Sequence, residues 1–253
     1  MIIGLTGYVK SGKDSVANML AEHIGGWTKA GFADALREMA SIMNPRIRVG
    51  ASKHYAEADG TARYNDLLKV VGYNAAKSFP DVREFLQRLG TEAVRDVIGK
   101  DTWVNILMGR IWQARVDASL AGQPAPNYAI TDVRFPNEAE AIKQADGYIV
   151  RVVRPGKGPV NEHISEQSAG DIVADWTLEA STLEELLEEV YAFYPELLAV
   201  EAQRVRQRAE QTAQLDALKQ AVVGAVQTEF TATVHSADET PNANGVVVEP
   251  VQQ

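Results

Sequence analysis

The spacing of apolar positions switches repeatedly along the chain, and each switch predicts a change of secondary structure. Ile2 to Thr6, "IIGLT", is a short apolar run closed by Gly7, the pattern of a parallel strand buried on both faces. From Asp14 to Ile24, Val16, Met19, Leu20 and Ile24 recur at helical spacing until Gly25-Gly26 stops them. "WTKAGF" (27–32) predicts a second strand, and "ADALREMASIM" a helix ended by Asn44-Pro45. Residues 45–81 are polar, Gly-interrupted and weakly periodic, which suggests an inserted segment on the substrate side.

Val82, Leu86, Leu89, Ala93 and Val97 then form one stripe, so a helix is expected from Asp81 to Ile98, with another from Asp101 to Val116. "YAIT" (128–131) reads as a third strand, and "PNEAEAIKQA" as a helix with Pro136 in its first turn. "YIVRVV" (148–153) and "DWTLEA" (175–180) supply two more strands, and "TLEELLEEVYAFY" an amphipathic helix ending before Pro195. Strands alternating with helices predict an α/β fold, a doubly wound, mostly parallel five-stranded sheet spanning residues 1–194. Beyond it, residues 195–227 carry a thin stripe through Leu198, Ala202, Val205 and Ala209, suited to a surface helix or a weak coiled coil that joins two copies as a homodimer. Residues 228–253, poor in aromatics and dotted with Pro, Asn and Gly, read as disordered.

Composition narrows the functional classes. Of 253 residues, 45% are hydrophobic, enough for a sizeable core, and none is cysteine, which excludes disulfides and thiolate metal sites and fits a reducing cytoplasm. No apolar run approaches the roughly 20 residues of a membrane span. "MIIGLTG" lacks the basic region of a signal peptide. A net charge of −9 argues against binding polymeric nucleic acid and leaves room for a local basic cleft.

The densest chemistry lies in "GLTGYVKSGKDS", residues 4–15. Gly7, Gly12 and Lys13 have the G-x-x-x-x-G-K spacing of a phosphate-binding loop, set between a strand and a helix. There the backbone N–H groups of residues 8–13, Ser11 among them, would cradle phosphate. Lys13 would reach the β- and γ-phosphates of a triphosphate, and Lys10 adds a second cation. The next position usually holds Ser or Thr for magnesium, but here it is Asp14, with Ser15 one residue late. Asp14 reads as a capping charge or as a magnesium ligand.

In "AITDVRF", Asp132 ends the third strand as a Walker-B-like ligand for magnesium or its water, and Arg134 can reach a transferring phosphate. The plainer alternative is an Asp–Arg pair tying strand to loop. "FADALRE" places Asp34 and Arg37 after the second strand, where a phosphoryl acceptor would lie. Gln87 and Arg88 lie off the apolar stripe of their helix and join the acceptor candidates, although Glu84–Arg88 and Arg88–Glu92 also make ordinary i,i+4 surface pairs. "RVVRPGKG" ends a strand with Arg154 and runs into Lys157, a composition suited to a mobile cationic lid, and His163 follows as a structural histidine.

"GLTGYVKSGKDSVA", "GFADALREM", "LQRLGTEAVRDVIGKDTWV", "ITDVRFPNEAEAI", "RVVRP" and "HISE" occur in the same order in bacteriophage deoxynucleoside monophosphate kinases, which residues 1–192 resemble. "GKD" in place of "GK[ST]" belongs to that family's pattern. The resemblance implies a P-loop kinase fold, ATP with magnesium, a deoxynucleoside monophosphate as acceptor, and a cytoplasmic setting, that of the host if a phage encodes it. Lys13, Arg134 and Arg154 would then be catalytic and Asp14 and Asp132 would serve the metal. Animal phosphomevalonate kinases are similar around "SGKD" and much less beyond it. Two rivals remain open: a kinase for another small molecule, phosphomevalonate or dephospho-coenzyme A, and a nucleotide-dependent switch. The switch would want an N-K-x-D motif, which is absent, and the D-x-x-G at Asp96–Gly99 falls on a helix.

Overall fold

In a computed structural model, residues 1–52, 54, 56–156 and 170–238 are described, the last stretch from 228 as backbone only. In chain order the strands are β1 (Ile2–Thr6), β2 (Trp27–Ala30), β3 (Arg46–Arg48), β4 (Thr61–Arg63), β5 (Asn127–Ile130), β6 (Tyr148–Val153) and β7 (Trp176–Glu179). The helices are α1 (Lys13–Met19), α2 (Asp34–Met43), α3 (Tyr64–Ala76), α4 (Pro80–Gln87), α5 (Thr102–Leu120), α6 (Pro136–Gln144) and α7 (Leu183–Asp238). π-helical turns, Leu20–Ile24 and Arg88–Arg95, continue α1 and α4.

All five strands anticipated from the sequence join one sheet, ordered β2-β5-β1-β6-β7 and parallel throughout. Position in the sheet explains their composition. Central β1 has neighbours on both sides and helices over both faces, so all five of its residues are buried. The edge strands β2 and β7 bury chiefly Trp27 and Leu178 and expose most of their other residues. Trp176 stands edge-on between Tyr148 (5.4 Å) and Phe193 (5.3 Å), closing the β7 end. The C-terminal ends of β1, β5 and β6 therefore lie side by side, and the loops that leave them share one rim.

Residues 45–81, to which the sequence assigned no elements, hold an antiparallel hairpin of β3 and β4 followed by α3, with a non-helical residue at Gly72. Two expectations are corrected. The helical stripe expected after Leu89 shifts by one residue, because Arg88–Arg95 is wound with i→i+5 bonds such as Asp96 N–H to Thr91 O (2.9 Å). Val94 is consequently buried, whereas Ala93 and Val97 face solvent. Finally, α7 does not end before Pro195 but runs on to Asp238, through the first residues of the segment expected to be disordered. Proline removes one backbone donor, at a cost of about 3 kcal/mol inside a helix. Flanking helix-forming residues and the buried side chains of Val190, Phe193 and Leu197, at helical spacing, outweigh it. The chain divides into two compact units, Met1–Phe193 and Tyr194–Gln253. Among the described residues no helix is long and apolar enough to cross a membrane.

Candidate active site

The loop between β1 and α1 is shaped by its own backbone. Gly7 has φ 140°, and a Cβ there would meet the Val152 carbonyl oxygen at 2.3 Å, so the chain passes β6 only as glycine. Lys10 adopts a left-handed φ of 61°, a conformation that costs a residue with a Cβ about 1–2 kcal/mol. Lys13 is buried, and its Nζ donates to the carbonyls of Gly7 (2.6 Å) and Tyr8 (2.7 Å), which points the ammonium into the loop. Ser11 Oγ is buried with no hydrogen-bond partner among the described atoms, as is Thr6 Oγ1 at the end of β1. Buried hydroxyls without partners are rare in folded proteins, and Ser11 lines the cavity beside the loop, where an anion could engage its hydroxyl.

A cavity of about 250 Å³ opens beside this loop, lined by Lys10–Ser15, by Arg154 from the end of β6, and by residues at the start of α7. That helix start is fixed by a capping box: Glu185 N–H donates to Thr182 Oγ1 (3.1 Å) while the Glu185 carboxylate accepts from Ser181 N–H (2.7 Å). Lys10, Ser11, Gly12, Lys13, Asp14, Ser15 and Arg154 thus share one cavity. Asp14 is three-quarters exposed in the first turn of α1 and pairs with Lys29 at 2.7 Å. Its carboxylate is open to a hard cation.

Asp132 has a different setting. Its two oxygens accept the N–H groups of Phe32 (2.8 Å) and Ala33 (3.0 Å), so the end of β5 clasps the turn that follows β2. Gly31 permits this approach, since a Cβ there would meet Asp132 Oδ2 at 2.8 Å. Burial pushes the Asp132 carboxyl pKa up, while the two N–H groups and nearby Arg37 oppose the rise. In the clasped turn Asp34 accepts from Gly31 N–H (2.7 Å) and pairs with Arg37. The Asp132 carboxylate thus ties a strand end to a loop, as the plainer sequence reading had it, but through the backbone N–H groups of Phe32 and Ala33 rather than through an arginine.

Arg37 leads to a residue that sequence reasoning missed. Lys77, just past α3, lies 4.8 Å from the centroid of the Tyr73 ring, and Arg37 stands over the same ring at 5.4 Å. Desolvation lowers the Lys77 pKa, and the positive charges of Arg134, Arg37 and Arg83 lower it further, against the opposing pull of Asp14. Two like charges over one ring repel, and an anion beside them would relieve that repulsion. Beneath them Tyr64 is fully buried with its hydroxyl unpartnered among the described atoms, and burial pushes its pKa to about 12.

Comparison with known proteins supplies a family. The family model for deoxynucleotide monophosphate kinase matches residues 33–190, more than half of the chain. The chain belongs to that family. A protein of Acanthamoeba polyphaga mimivirus described as "Putative deoxynucleotide monophosphate kinase" is 28% identical over 183 residues, covering 66% of this chain and 80% of the viral one. The family match takes in Asp34, Arg37, Lys77, Arg83, Asp132, Arg134 and Arg154 and begins after the glycine-lysine loop.

In this member of the deoxynucleotide monophosphate kinase family, Gln87 and Arg88 line a depression of about 300 Å³ with Arg83, while Arg37 lines another. Gln87 and Arg88 are exposed on α4 and the turns after it, where Arg88 meets Glu92 at 3.5 Å as an i,i+4 surface pair. Lys157 and His163 lie outside the described residues. No group of three His, Cys, Asp or Glu side chains forms a metal cage among the described residues. A nucleotide kinase does not need one, because magnesium bound with nucleotide takes most of its ligands from phosphate and water.

Proposed function

We propose that the protein transfers the γ-phosphoryl group of ATP to the phosphate of a deoxynucleoside 5′-monophosphate, giving the two diphosphates. One observation carries the reading: Asp14 of the glycine-lysine loop pairs with Lys29 (2.7 Å), and Lys29 lines one depression with Arg37, which shares the Tyr73 ring with Lys77. That chain of contacts supports a donor loop and an acceptor cluster that work together.

In this reading the backbone amides of residues 8–13, Ser11 Oγ and Lys13 bind the β- and γ-phosphates, with Lys10 at the mouth of the loop. Asp14 is the carboxylate that would hold magnesium, which when bound would supply positive charge to offset that developing on the phosphoryl group. Asp132 would serve by holding the β2–α2 turn so that Arg37 faces the acceptor. Arg37, Lys77 and Arg83 bind the acceptor phosphate, whose sugar and base extend toward Gln87. An oxygen of that phosphate attacks the γ-phosphorus, the bond to the β–γ bridging oxygen breaks, and ADP leaves. Arg134 and Arg154 stabilise charge on the phosphoryl group in transit. The acceptor is already an anion, so no general base takes part.

The test is ADP release with ATP and magnesium across deoxynucleoside monophosphates, phosphomevalonate and dephospho-coenzyme A. Release dependent on a deoxynucleoside monophosphate is expected. Release only with a non-nucleotide acceptor, or without any acceptor, would overturn the reading in favour of another kinase or of a switch.

A further inference from the structure

Among the described residues two charged residues are buried, Lys13 and Glu138. Lys13 has a task in the phosphate loop, and Glu138 has none in the transfer proposed above. Its surroundings are specific. Glu138 Oε2 accepts two consecutive backbone N–H groups, those of Arg134 (2.7 Å) and Phe135 (3.0 Å). Glu138 Oε1 faces Arg95 Nη1 at 3.8 Å, and the Arg95 guanidinium lies 4.0 Å from the centroid of the Phe135 ring. A helix-capping glutamate needs only the bond to Phe135 N–H and can remain in water. Burial, the second bond and the stacked arginine go beyond capping, and all of them act on the corner that carries Arg134.

We propose that Glu138 is a positioning residue for Arg134: its carboxylate fixes the backbone at 134–135 and, through Arg95, ties that corner to the π-helical turns after α4. The inference rests on the phosphotransfer reading, in which Arg134 must meet the phosphoryl group in transit. The charged groups facing Glu138 are Arg95 from those turns and Asp132 from the same corner. Desolvation pushes the Glu138 carboxyl up to about 7; the two backbone N–H groups and Arg95 hold it down, and Asp132 adds to the rise. Protonation leaves Oε2 able to accept both N–H bonds but removes the attraction to Arg95. The clasp on the backbone therefore persists at every pH, while its tie to Arg95 tightens as pH rises through neutrality.

The full-length protein, Glu138→Gln and Glu138→Ala would be compared by amide NMR of residues 134 and 135 across neutral pH, and by steady-state kinetics. In the wild type both amides should titrate with a midpoint near 7, and in Glu138→Gln they should stay flat. Glu138→Ala should lose at least about tenfold in kcat with little change in the KM for ATP, since misplacing a catalytic group by about 1 Å can cost about a hundredfold. Glu138→Gln should recover most of that loss and lack the wild-type rise in kcat across neutral pH. A folded Glu138→Ala protein with wild-type kcat would overturn the proposal, as would wild-type amides at 134 and 135 that do not titrate. If Glu138→Ala does not fold, the kcat–pH profile of Glu138→Gln decides: one identical to wild type overturns the proposal. A wild type with no acceptor-dependent turnover would sink the phosphotransfer reading instead, while the amide titration still judges the clasp.

Discussion

The two halves of the cleft are built by opposite means. The groups proposed for the donor phosphates come almost entirely from one stretch, Gly7–Ser15, with Arg154 the outside contribution to the same cavity. The groups proposed for the acceptor phosphate and the transferring group come from four places: Arg37 from α2, Lys77 from the end of α3, Arg83 from α4 and Arg134 from the β5–α6 corner. A contiguous loop needs one backbone path, and its chemistry is fixed once that path is. A dispersed cluster depends on four elements holding their places, with Asp132 and Glu138 as the clasps that keep two of the corners still. The donor half should therefore fail through single side chains, and the acceptor half in graded steps.

Lys13→Ala tests the first half and carries the largest expected effect. Removing one preorganised charge-stabilising donor typically lowers kcat by about 100- to 1000-fold. ADP release should fall in that range while circular dichroism stays that of the folded protein. On the acceptor side, Lys77→Ala should raise the KM for the deoxynucleoside monophosphate by about tenfold, the scale of one charged hydrogen bond, and leave the KM for ATP unchanged. Arg88→Ala is the matched control. An exposed i,i+4 pair is worth only about 0.3–0.5 kcal/mol, so both constants should stay within about twofold. A larger effect at Arg88 than at Lys77 would relocate the acceptor.

Asp132→Asn probes the clasp itself. An amide keeps one acceptor oxygen but turns an NH₂ toward one of the two backbone donors, which costs about 1–3 kcal/mol for the group left unsatisfied. Thermal unfolding should move down by several degrees, and the acceptor KM should rise more than the ATP KM.

A smaller effect comes from Glu138 and appears in the pH dependence of stability. Its folded pKa, about 7, lies above the ordinary value of 4.5, so between those values the folded state holds a proton that the unfolded chain has released. Stability from this group is therefore fully present below pH 4.5, declines as pH rises, and is lost above about 7. Melting temperatures measured across that window should fall less steeply in Glu138→Gln than in the wild type.

The smallest effect is expected from truncation after Glu210. The residues of α7 from 205 to 227 are exposed, and none is proposed for chemistry, so kcat should stay within about twofold. A cut directly after Pro195 is a poorer test, because it removes the fully buried Leu197.

The donor half was legible because its information is local: a glycine spacing, a lysine, a strand before and a helix after. The central strands were legible for a related reason, since burial on both faces leaves runs such as "IIGLT" with no polar alternation. The acceptor half was not. Lys77 stands in a polar stretch with no spacing that marks it, and its meaning comes from Arg37, Arg83 and Arg134 brought in by tertiary structure. Asp132 was noticed as a carboxylate at a strand end, but its partners are backbone groups of Phe32 and Ala33, about which side-chain identities say nothing. In residues 45–81 the strands of the hairpin are too short for alternation to register. The helical spacing of Tyr64, Leu67, Leu68 and Val71 was present but is cut off at Gly72. The displaced stripe after Leu89 and the continuation of α7 through Pro195 share a cause: local rules of thumb were overridden by winding and burial that no short window displays.

The place of β1 in the sheet also sets a timetable for synthesis. Ile2–Gly4 pair with Tyr128–Ile130, and Ile3–Thr6 pair with Tyr148–Arg151, so both neighbours of the first strand are made long after it. At about 5–20 residues per second, Ile2 waits about 6–25 s for Tyr128 to be translated. During that interval an apolar strand and a glycine loop have no sheet to join. When β5 does arrive, it pairs with β1 and β2 and brings Asp132 to the turn before Arg37. The turn before Arg37 is thus fixed when β5 arrives, whereas the glycine-lysine loop is completed later, when β6 brings Val152 beside Gly7 and Arg154 to its cavity.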